Sequence, residues 1–380
     1  MKTSTPIAET ELVHPRATLV LQRYPRSPRE RLRAWDGADL YLLDEATDQP
    51  ALVLNDSCGA LALALPADTV SVGDSWLARA ALAANAADNQ RPLPQWAWPH
   101  QDWPARAQVL VRVPKELALL EYQLWRLGQQ LPAGTPVQLA WMDKHLPAGL
   151  VELARHYLDG VELLPGRRKA HGLRGQLPQQ PVAECGYPLV LPVEEWGGAP
   201  LRVEAGVFAQ RQIDIGARAM LPVIPTGIDG TIADLGCGAG ILGIAAGLRN
   251  PQAKLLFCDE SSQAIESARH NATAQLGAER VAFHLGHGLD GIDTPLDLIL
   301  LNPPFHRGHA VDDAVARMLF RQAADHLAAD GALWVVGNRH LAYGNVLKRH
   351  FADVEQVAGD RKFIVWRARQ SRRTGNNARP

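Results

Sequence analysis

Residues 298–309 read LILLNPPFHRGH. An apolar run with the look of a buried strand meets an Asn, two prolines and a Phe. Proline lacks a backbone donor and cannot sit inside a central strand, so the strand must stop near Leu301, with Asn302 to Phe305 forming a stiff turn at its carboxyl end. In a doubly wound sheet that edge is where ligands bind. A second stretch, TIADLGCGAGILG at 231–243, reads as a strand entering a glycine-rich turn that opens a helix. Glycines let backbone approach a ligand closely and present amides and a helix amino terminus beside it. Gly238, Gly240 and Gly243 also fit a dinucleotide fingerprint, but Asp234 argues against it. A carboxylate two residues before Gly236 repels a pyrophosphate and suits a ligand carrying an ammonium and a sulfonium. Asp259, closing the apolar run LLFCD, is placed to accept hydrogen bonds from two ribose hydroxyls; the alternative is a cap for the helix beginning near Ser261.

These groups need one edge to share. Short apolar runs near 231–235, 254–258, 281–285, 297–301, 332–337 and 362–368 alternate with helical stretches, the pattern of a mostly parallel sheet with helices on both faces. One helix is expected from Asp312 to Leu327, stopped by Gly331. On consecutive strand ends, the glycine loop, Asp259 and the Asn-Pro-Pro-Phe turn face one crevice.

The chain also repeats itself. RHYLDGVELLPGRRK at 155–169 resembles RHFADVEQVAGDRK at 349–362, LAWMDKHL at 139–146 resembles LWVVGNRHL at 333–341, and VSVGDSWLARAALAAN at 70–85 resembles LLFCDESSQAIESARHN at 255–271. LNDSCGAL at 54–61 lies over ADLGCGAG at 233–240. Four matches in order indicate two homologous halves. The Gln- and Pro-rich stretch GQLPQQPVAE at 175–184 marks the boundary, giving domains 1–178 and 179–380. In this register Asn55, Ser57 and Leu61 stand over Asp234, Gly236 and Gly240, and Val113 stands over Asn302. The first half is therefore expected neither to hold the same ligand nor to do the same chemistry; RNA binding is its expected role, scaffolding the alternative.

The second-half constellation resembles the S-adenosylmethionine-dependent methyltransferases that modify exocyclic amines. An amine conjugated to an aromatic ring is a poor nucleophile. If the Asn302 side-chain oxygen and the Pro303 carbonyl accept its two N–H bonds, its lone pair is freed toward a methyl group, and Phe305 stacks on the extruded base. The likeness then narrows. AGVFAQRQIDIGARAML at 205–221, NPQAKLLFCDES at 250–261, NPPFHRGHAVDD and GNRHLAYGNVLKRHF resemble the bacterial rRNA guanine-N2 methyltransferases. LVLQRYP, LVLNDSCGALALAL and VPKELALLE in the first half place the large-subunit (23S) enzymes nearer than their small-subunit (16S) siblings.

What the resemblance implies is an α/β protein of two tandem Rossmann-like class I methyltransferase domains, with mostly parallel seven-stranded sheets. S-adenosylmethionine is the implied cofactor and 23S rRNA, protein-free rather than assembled, the implied substrate. The catalytic turn carries over to Asn302, Pro303, Pro304 and Phe305. Cofactor contacts carry over to Asp234, Gly236, Cys237, Gly238, Gly240, Asp259 and Glu260, with Phe208 and Asp214 toward the methionyl end and His287 and Gly288 toward the adenine. The same turn also serves adenine-N6 and glutamine-amide methyltransferases. An RNA-binding protein with a relic enzyme half is the reading from another class; the intact glycines and Asn302 speak against it.

Composition bounds what remains. With 39 Lys+Arg against 40 Asp+Glu, any nucleic-acid contact must come from local patches, and RSPRERLRAW at 26–35, GRRKAHGLRG at 166–175 and RKFIVWRARQSRR at 361–373 are candidates. PQWAWPHQDW at 94–103 either stacks on RNA bases or tucks its indoles onto its own domain. Four cysteines without CxxC spacing suggest neither zinc nor disulfides. His306 and His309 lie near Asp312 and Asp313, but methyl transfer needs no metal, and none is expected. The amino terminus lacks a signal-peptide core and no apolar run reaches bilayer length, so the cytoplasm is the expected location.

Overall fold

The computed structural model describes residues 8–145, 147–194, 198–208, 214–303 and 310–372. Two compact units meet in sequence at Tyr187 and Pro188.

The first unit opens with a hairpin, β1 (Glu11–His14) and β2 (Ala17–Val20), and helix α1 (Gly37–Glu45). Its strands are β3 (Ala51–Leu54), β4 (Val70–Val72), β5 (Gln95–Ala97), β6 (Gln108–Arg112), β7 (Pro136–Met142), β8 (Asp159–Arg167) and β9 (Ala170–Gln176). Helices α2 (Trp76–Asp88), α3 (Leu117–Gln130) and α4 (Leu150–Tyr157) connect them. The sheet order is β5-β4-β3-β6-β7-β9-β8, with β9 alone running against the rest.

The second unit repeats the plan. A hairpin, β10 (Leu189–Val193) and β11 (Ala199–Val203), leads to α5 (Ile215–Met220). Strands β12 (Thr231–Leu235), β13 (Lys254–Asp259), β14 (Val281–Leu285), β15 (Leu296–Leu301), β16 (Leu327–Asn338), β17 (Phe351–Gly359) and β18 (Phe363–Ser371) alternate with α6 (Ile241–Arg249), α7 (Ser262–Leu276), α8 (Ala310–His326) and α9 (Tyr343–Leu347). The order β14-β13-β12-β15-β16-β18-β17 is that of the first sheet. Each half is thus the expected mostly parallel seven-stranded α/β sheet. Strand order reverses between β12 and β15, which opens a crevice at their carboxyl ends.

Burial explains the apolar runs. In β15, Leu298 and Leu300 pack into one apolar layer while Leu296, Ile299 and Leu301 pack into the other. A strand covered on both faces has no polar side, hence the unbroken LILL.

Two expectations need correction. Gly331 does not stop a helix: α8 ends at His326 and Gly331 lies inside β16. A Cβ there would come 2.7 Å from the Leu296 carbonyl oxygen, so glycine serves close strand approach. Strand β17 was not expected, because it is an edge strand of mixed burial with no apolar run to announce it.

Candidate active site

Strand register decides which residues share an edge. Leu235 at the end of β12 pairs with Cys258 on β13 and with Leu301 on β15. Gly236, Asp259 and Asn302, each the next residue, therefore stand side by side at the crevice. The loop leaving β12 is held by the Cys258 carbonyl, which accepts from the Gly236 and Cys237 amides at 2.8 and 3.0 Å. Gly236 and Gly238 have φ of +70° and +51°, a region that penalises side chains. Among the described residues, no atom lies within 4 Å of a Cβ built on Gly236, and at Gly238 the Phe208 carbonyl alone comes near, at 3.9 Å. The open room beside these two backbones fits a ligand pressed against the loop. Phe208 itself reaches the loop through its carbonyl; its ring is 63% exposed.

Asp259 is not the cap of α7. Ser261 is, its hydroxyl accepting from Ala264 N at 3.1 Å. The Asp259 carboxylate accepts instead from Gly238 N and Ser261 N, both at 3.0 Å, which ties the second strand end to the glycine loop. Glu260 follows Asp259, half-buried.

Asp234 sits differently from a ligand-facing anion. It is 2% exposed and accepts from Gly243 N at 2.8 Å, tying β12 to α6. Burial, with the nearby Asp259 charge, pushes its pKa up to about 7. A folded-state pKa above the unfolded value gives stability that is present below about pH 4 and lost as pH rises through about 7. Asp234→Asn should therefore gain thermal stability relative to the wild type as pH is raised from 5 to 8; parallel melting-temperature profiles would rule out this titration. Cys237 is buried, with its thiol pKa well above the usual range because of burial and the Asp259 and Asp234 charges, so it shapes the loop without being reactive.

The segment after β14 reaches the same edge: Gly286 N donates to the Asp259 carbonyl at 3.0 Å. His287 pairs with Asp290 at 3.1 Å. Buried Gln322 on α8 accepts from Leu289 N and donates to the His287 carbonyl, both at 3.1 Å. It packs so close to Gly288 that a Cβ there would meet its Oε1. Sequence reasoning missed Gln322, since one glutamine on an amphipathic helix carries no signal of what it holds.

At the end of β15, Asn302 Nδ2 donates to Asp214 Oδ2 at 3.0 Å, while Asn302 Oδ1 is buried and has no hydrogen-bond partner among the described residues. Pro303 is buried. Pro304 and Phe305 lie outside the described residues, as do His306 and His309.

The first unit's edge is the same construction with its contents changed. Leu54 pairs with Val72 and Val111, so Asn55, Gly73 and Arg112 stand where Gly236, Asp259 and Asn302 do. This corrects the sequence register by two residues at the glycine loop and by one at the turn. Val53, Asn55 and Gly59 stand over Asp234, Gly236 and Gly240, and Arg112 rather than Val113 stands over Asn302. Buried asparagines verify it: Asn85 Nδ2 donates to the Cys58 carbonyl at 2.8 Å and Asn271 Nδ2 to the Ala239 carbonyl at 3.0 Å. The first-unit crevice is filled from within. Asp56 takes the amides of Gly59, Ala60, Leu61 and Ala62 at 2.8 to 3.0 Å. The Trp96 ring lies over Gly73, within 2.7 Å of where a Cβ would be. Arg112 pairs with Asp36 at 3.0 Å and Asp39 at 2.7 Å.

With this geometry in hand, similarity to known proteins is informative. The model of the methyltransferase small domain matches residues 199–367, and that of the RLMG N-terminal domain matches residues 9–179. The ribosomal RNA large subunit methyltransferase G of Alcanivorax borkumensis is 46% identical, over 94% of this chain and 96% of its own. The chain belongs to the ribosomal RNA large subunit methyltransferase G family. A member from Pseudomonas putida W619 is 42% identical, over 94% of this chain and 99% of its own. The T. thermophilus 16S rRNA N2 methyltransferase RsmC, solved with AdoMet and guanosine, shares the fold at a TM-score of 0.72 and 20% identity, over 95% of this chain and 97% of that one. In this member of the methyltransferase G family the small-domain match spans the candidate site of the second unit, from Phe208 to Pro303, and the RLMG N-terminal match spans the filled edge of the first. Among the described residues, no cluster of His, Cys, Asp and Glu is arranged to hold a metal, and no helix is long and apolar enough to cross a membrane.

Proposed function

We propose that the chain transfers a methyl group from S-adenosylmethionine to the exocyclic N2 of a guanine in 23S rRNA, on RNA free of ribosomal proteins. The observation that carries this reading is Asn302 Oδ1: a buried acceptor without a described partner, beside a proline, one strand away from an open glycine loop. A buried acceptor left unpaired costs about 1–3 kcal/mol, so its retention points to a donor that arrives with the substrate.

S-adenosylmethionine would supply an electrophilic methyl on a sulfonium. Gly236, Gly238 and Asp259 are the residues that would hold it, with Asp214, Phe208, Glu260, His287 and Gly288 around them. The chain's own part is to prepare the amine. Asn302 Oδ1 and the Pro303 carbonyl accept the two N–H bonds of the base and draw its lone pair out of conjugation. With the cofactor bound, the nitrogen's lone pair would take the methyl carbon as the carbon–sulfur bond breaks and its electron pair leaves with neutral S-adenosylhomocysteine. The nitrogen would then lose one proton to solvent, since the methylated nitrogen is acidic. Phe305 is the residue assigned to stack on the flipped base.

The assignment of residues 179–380 as the catalytic domain and 1–178 as an RNA-binding domain completes the reading. The filled first-unit crevice supports it, as do exposed Lys115 and Lys144 on the same edge. His145 there is held below its usual pKa by burial and then by those two cations. The Trp segment lends no support to base stacking: Trp103 is 4% exposed and donates to the Trp98 carbonyl at 3.1 Å, and Trp96 packs edge-on against Trp98.

The test is methyl transfer from labelled S-adenosylmethionine to protein-free 23S rRNA, protein-free 16S rRNA and assembled subunits, with the products digested for nucleoside mass spectrometry. N2-methylguanosine in naked 23S rRNA alone is expected. Label confined to 16S rRNA, to intact subunits or to N6-methyladenosine would replace the substrate, the assembly state or the base.

A further inference from the structure

We infer that Asp214 is a positioning residue for this reaction, fixing which end of the Asn302 amide faces the substrate. The inference rests on the function proposed above and adds a part to it. An asparagine amide has two ends of almost equal shape and opposite hydrogen-bonding sense. Only the oxygen end can accept from an exocyclic amine; turned over, Asn302 would present N–H to N–H and repel it. Something must choose between the two orientations.

Asp214 can choose because an ionised carboxylate only accepts. Its Oδ2 lies 3.0 Å from Asn302 Nδ2, and the same oxygen accepts from Ala217 N at 3.1 Å at the start of α5. The backbone amide holds the carboxylate, and the carboxylate holds the Asn302 nitrogen. Oδ1 is thereby left as the buried acceptor without a described partner. Charge-assisted bonds of this kind are the stronger and more directional ones.

The first unit supplies independent support. There Asp36 precedes α1 as Asp214 precedes α5, with its side chain accepting from Ala38 N at 2.9 Å. Its partner is Arg112, the residue that stands where Asn302 does. In both halves an aspartate before this helix grips the residue at the carboxyl end of the equivalent strand, β6 or β15. Where that residue is Arg the grip makes a closed ion pair, and where it is Asn the grip leaves one acceptor over.

The test compares Asp214→Asn and Asp214→Ser with the wild type, and each also in an Asn302→Ala background. Both replacements keep a good helix cap, so folding is preserved. Neither presents a pure acceptor. Turnover at saturating S-adenosylmethionine should fall about 10- to 100-fold, the scale of one hydrogen bond to a charged group, while the cofactor dissociation constant from calorimetry moves less than about threefold. In the Asn302→Ala background the same replacements should cost nothing further, because the group they position is gone. A raised cofactor dissociation constant with unchanged saturated turnover would overturn the inference and make Asp214 a cofactor ligand alone. Full additivity with Asn302→Ala would also overturn it. Both readouts are ratios to the wild type, whose own product, N2-methylguanosine, reports separately on the proposed function.

Discussion

Asn302→Ala should lose about 10²–10³ in single-turnover rate and bind S-adenosylmethionine as the wild type does, within about threefold. The two halves of that result have different origins. Asn302 Oδ1 has no described partner in the chain, so its removal leaves the glycine loop, the Asp259 hydrogen bonds and the segment after β14 as they are. What disappears, besides the Nδ2 bond to Asp214, is the acceptor for the amine, an interaction that strengthens as positive charge develops on nitrogen and therefore counts in the transition state more than in the ground state. The measurement is single-turnover methyl transfer to protein-free rRNA beside calorimetric binding of the cofactor. Wild-type turnover would remove Asn302 from the mechanism; loss of cofactor binding would make it a structural residue of the pocket.

Arg112→Met should destabilise the first unit by about 3 kcal/mol near pH 8 and by much less near pH 5. Removing one partner of a buried ion pair is costly because the other charge stays behind. Here the charge left is Asp39, 6% exposed, whose pKa burial pushes up to about 6 even with Arg112 beside it lowering it. Without Arg112 the folded-state value goes higher still. A raised folded-state pKa means stability present at low pH and lost as pH rises through that value, so the penalty appears on the alkaline side. Hydrogen exchange over residues 8–187 at the two pH values measures it. Cofactor affinity should stay within about threefold of the wild type, since the Asp56, Trp96 and Arg112 side chains already fill the crevice of this unit. A tenfold loss of S-adenosylmethionine binding would mean that the first unit takes part in holding it.

The site residues were legible to different depths. Asn302 and the prolines stood out because they interrupt an apolar run at the one place in a parallel sheet where an interruption is tolerated, its carboxyl end. The glycine loop was legible because positive φ beside a ligand leaves little choice but glycine. Asp259 was legible as an acid at a strand end, and its second reading, a helix cap, fell once Ser261 was found to cap α7. Gln322 was invisible. A buried glutamine differs from an exposed one only through the backbone groups it meets, here in a loop more than thirty residues away in sequence.

The duplication shows the same boundary between pattern and geometry. Four stretches recur in order, and that was enough to see two halves with one plan. The alignment at the loop was nevertheless two residues out, because CGA recurs in both halves and similarity of letters favoured that match. Strand pairing allows no such slip: Leu54 pairs with Val72 and Val111 as Leu235 pairs with Cys258 and Leu301, and Asn85 reaches the Cys58 carbonyl as Asn271 reaches that of Ala239.

By itself, then, the sequence determined the α/β class, the repeated plan, the family resemblance and the types of residue gathered at the second-half crevice. All of these depend on local pattern: apolar runs of strand length, glycines where φ must be positive, prolines where a strand must end. Only the tertiary structure decided which residues face one another across strands, that Asp234 is a buried tie between strand and helix, that the first crevice is closed by Asp56, Trp96 and Arg112, and that Asp214 grips the nitrogen of Asn302. Each of those depends on a distance between residues far apart in the chain, and a distance of that kind is set by strand register and packing together, neither of which is written in any one segment.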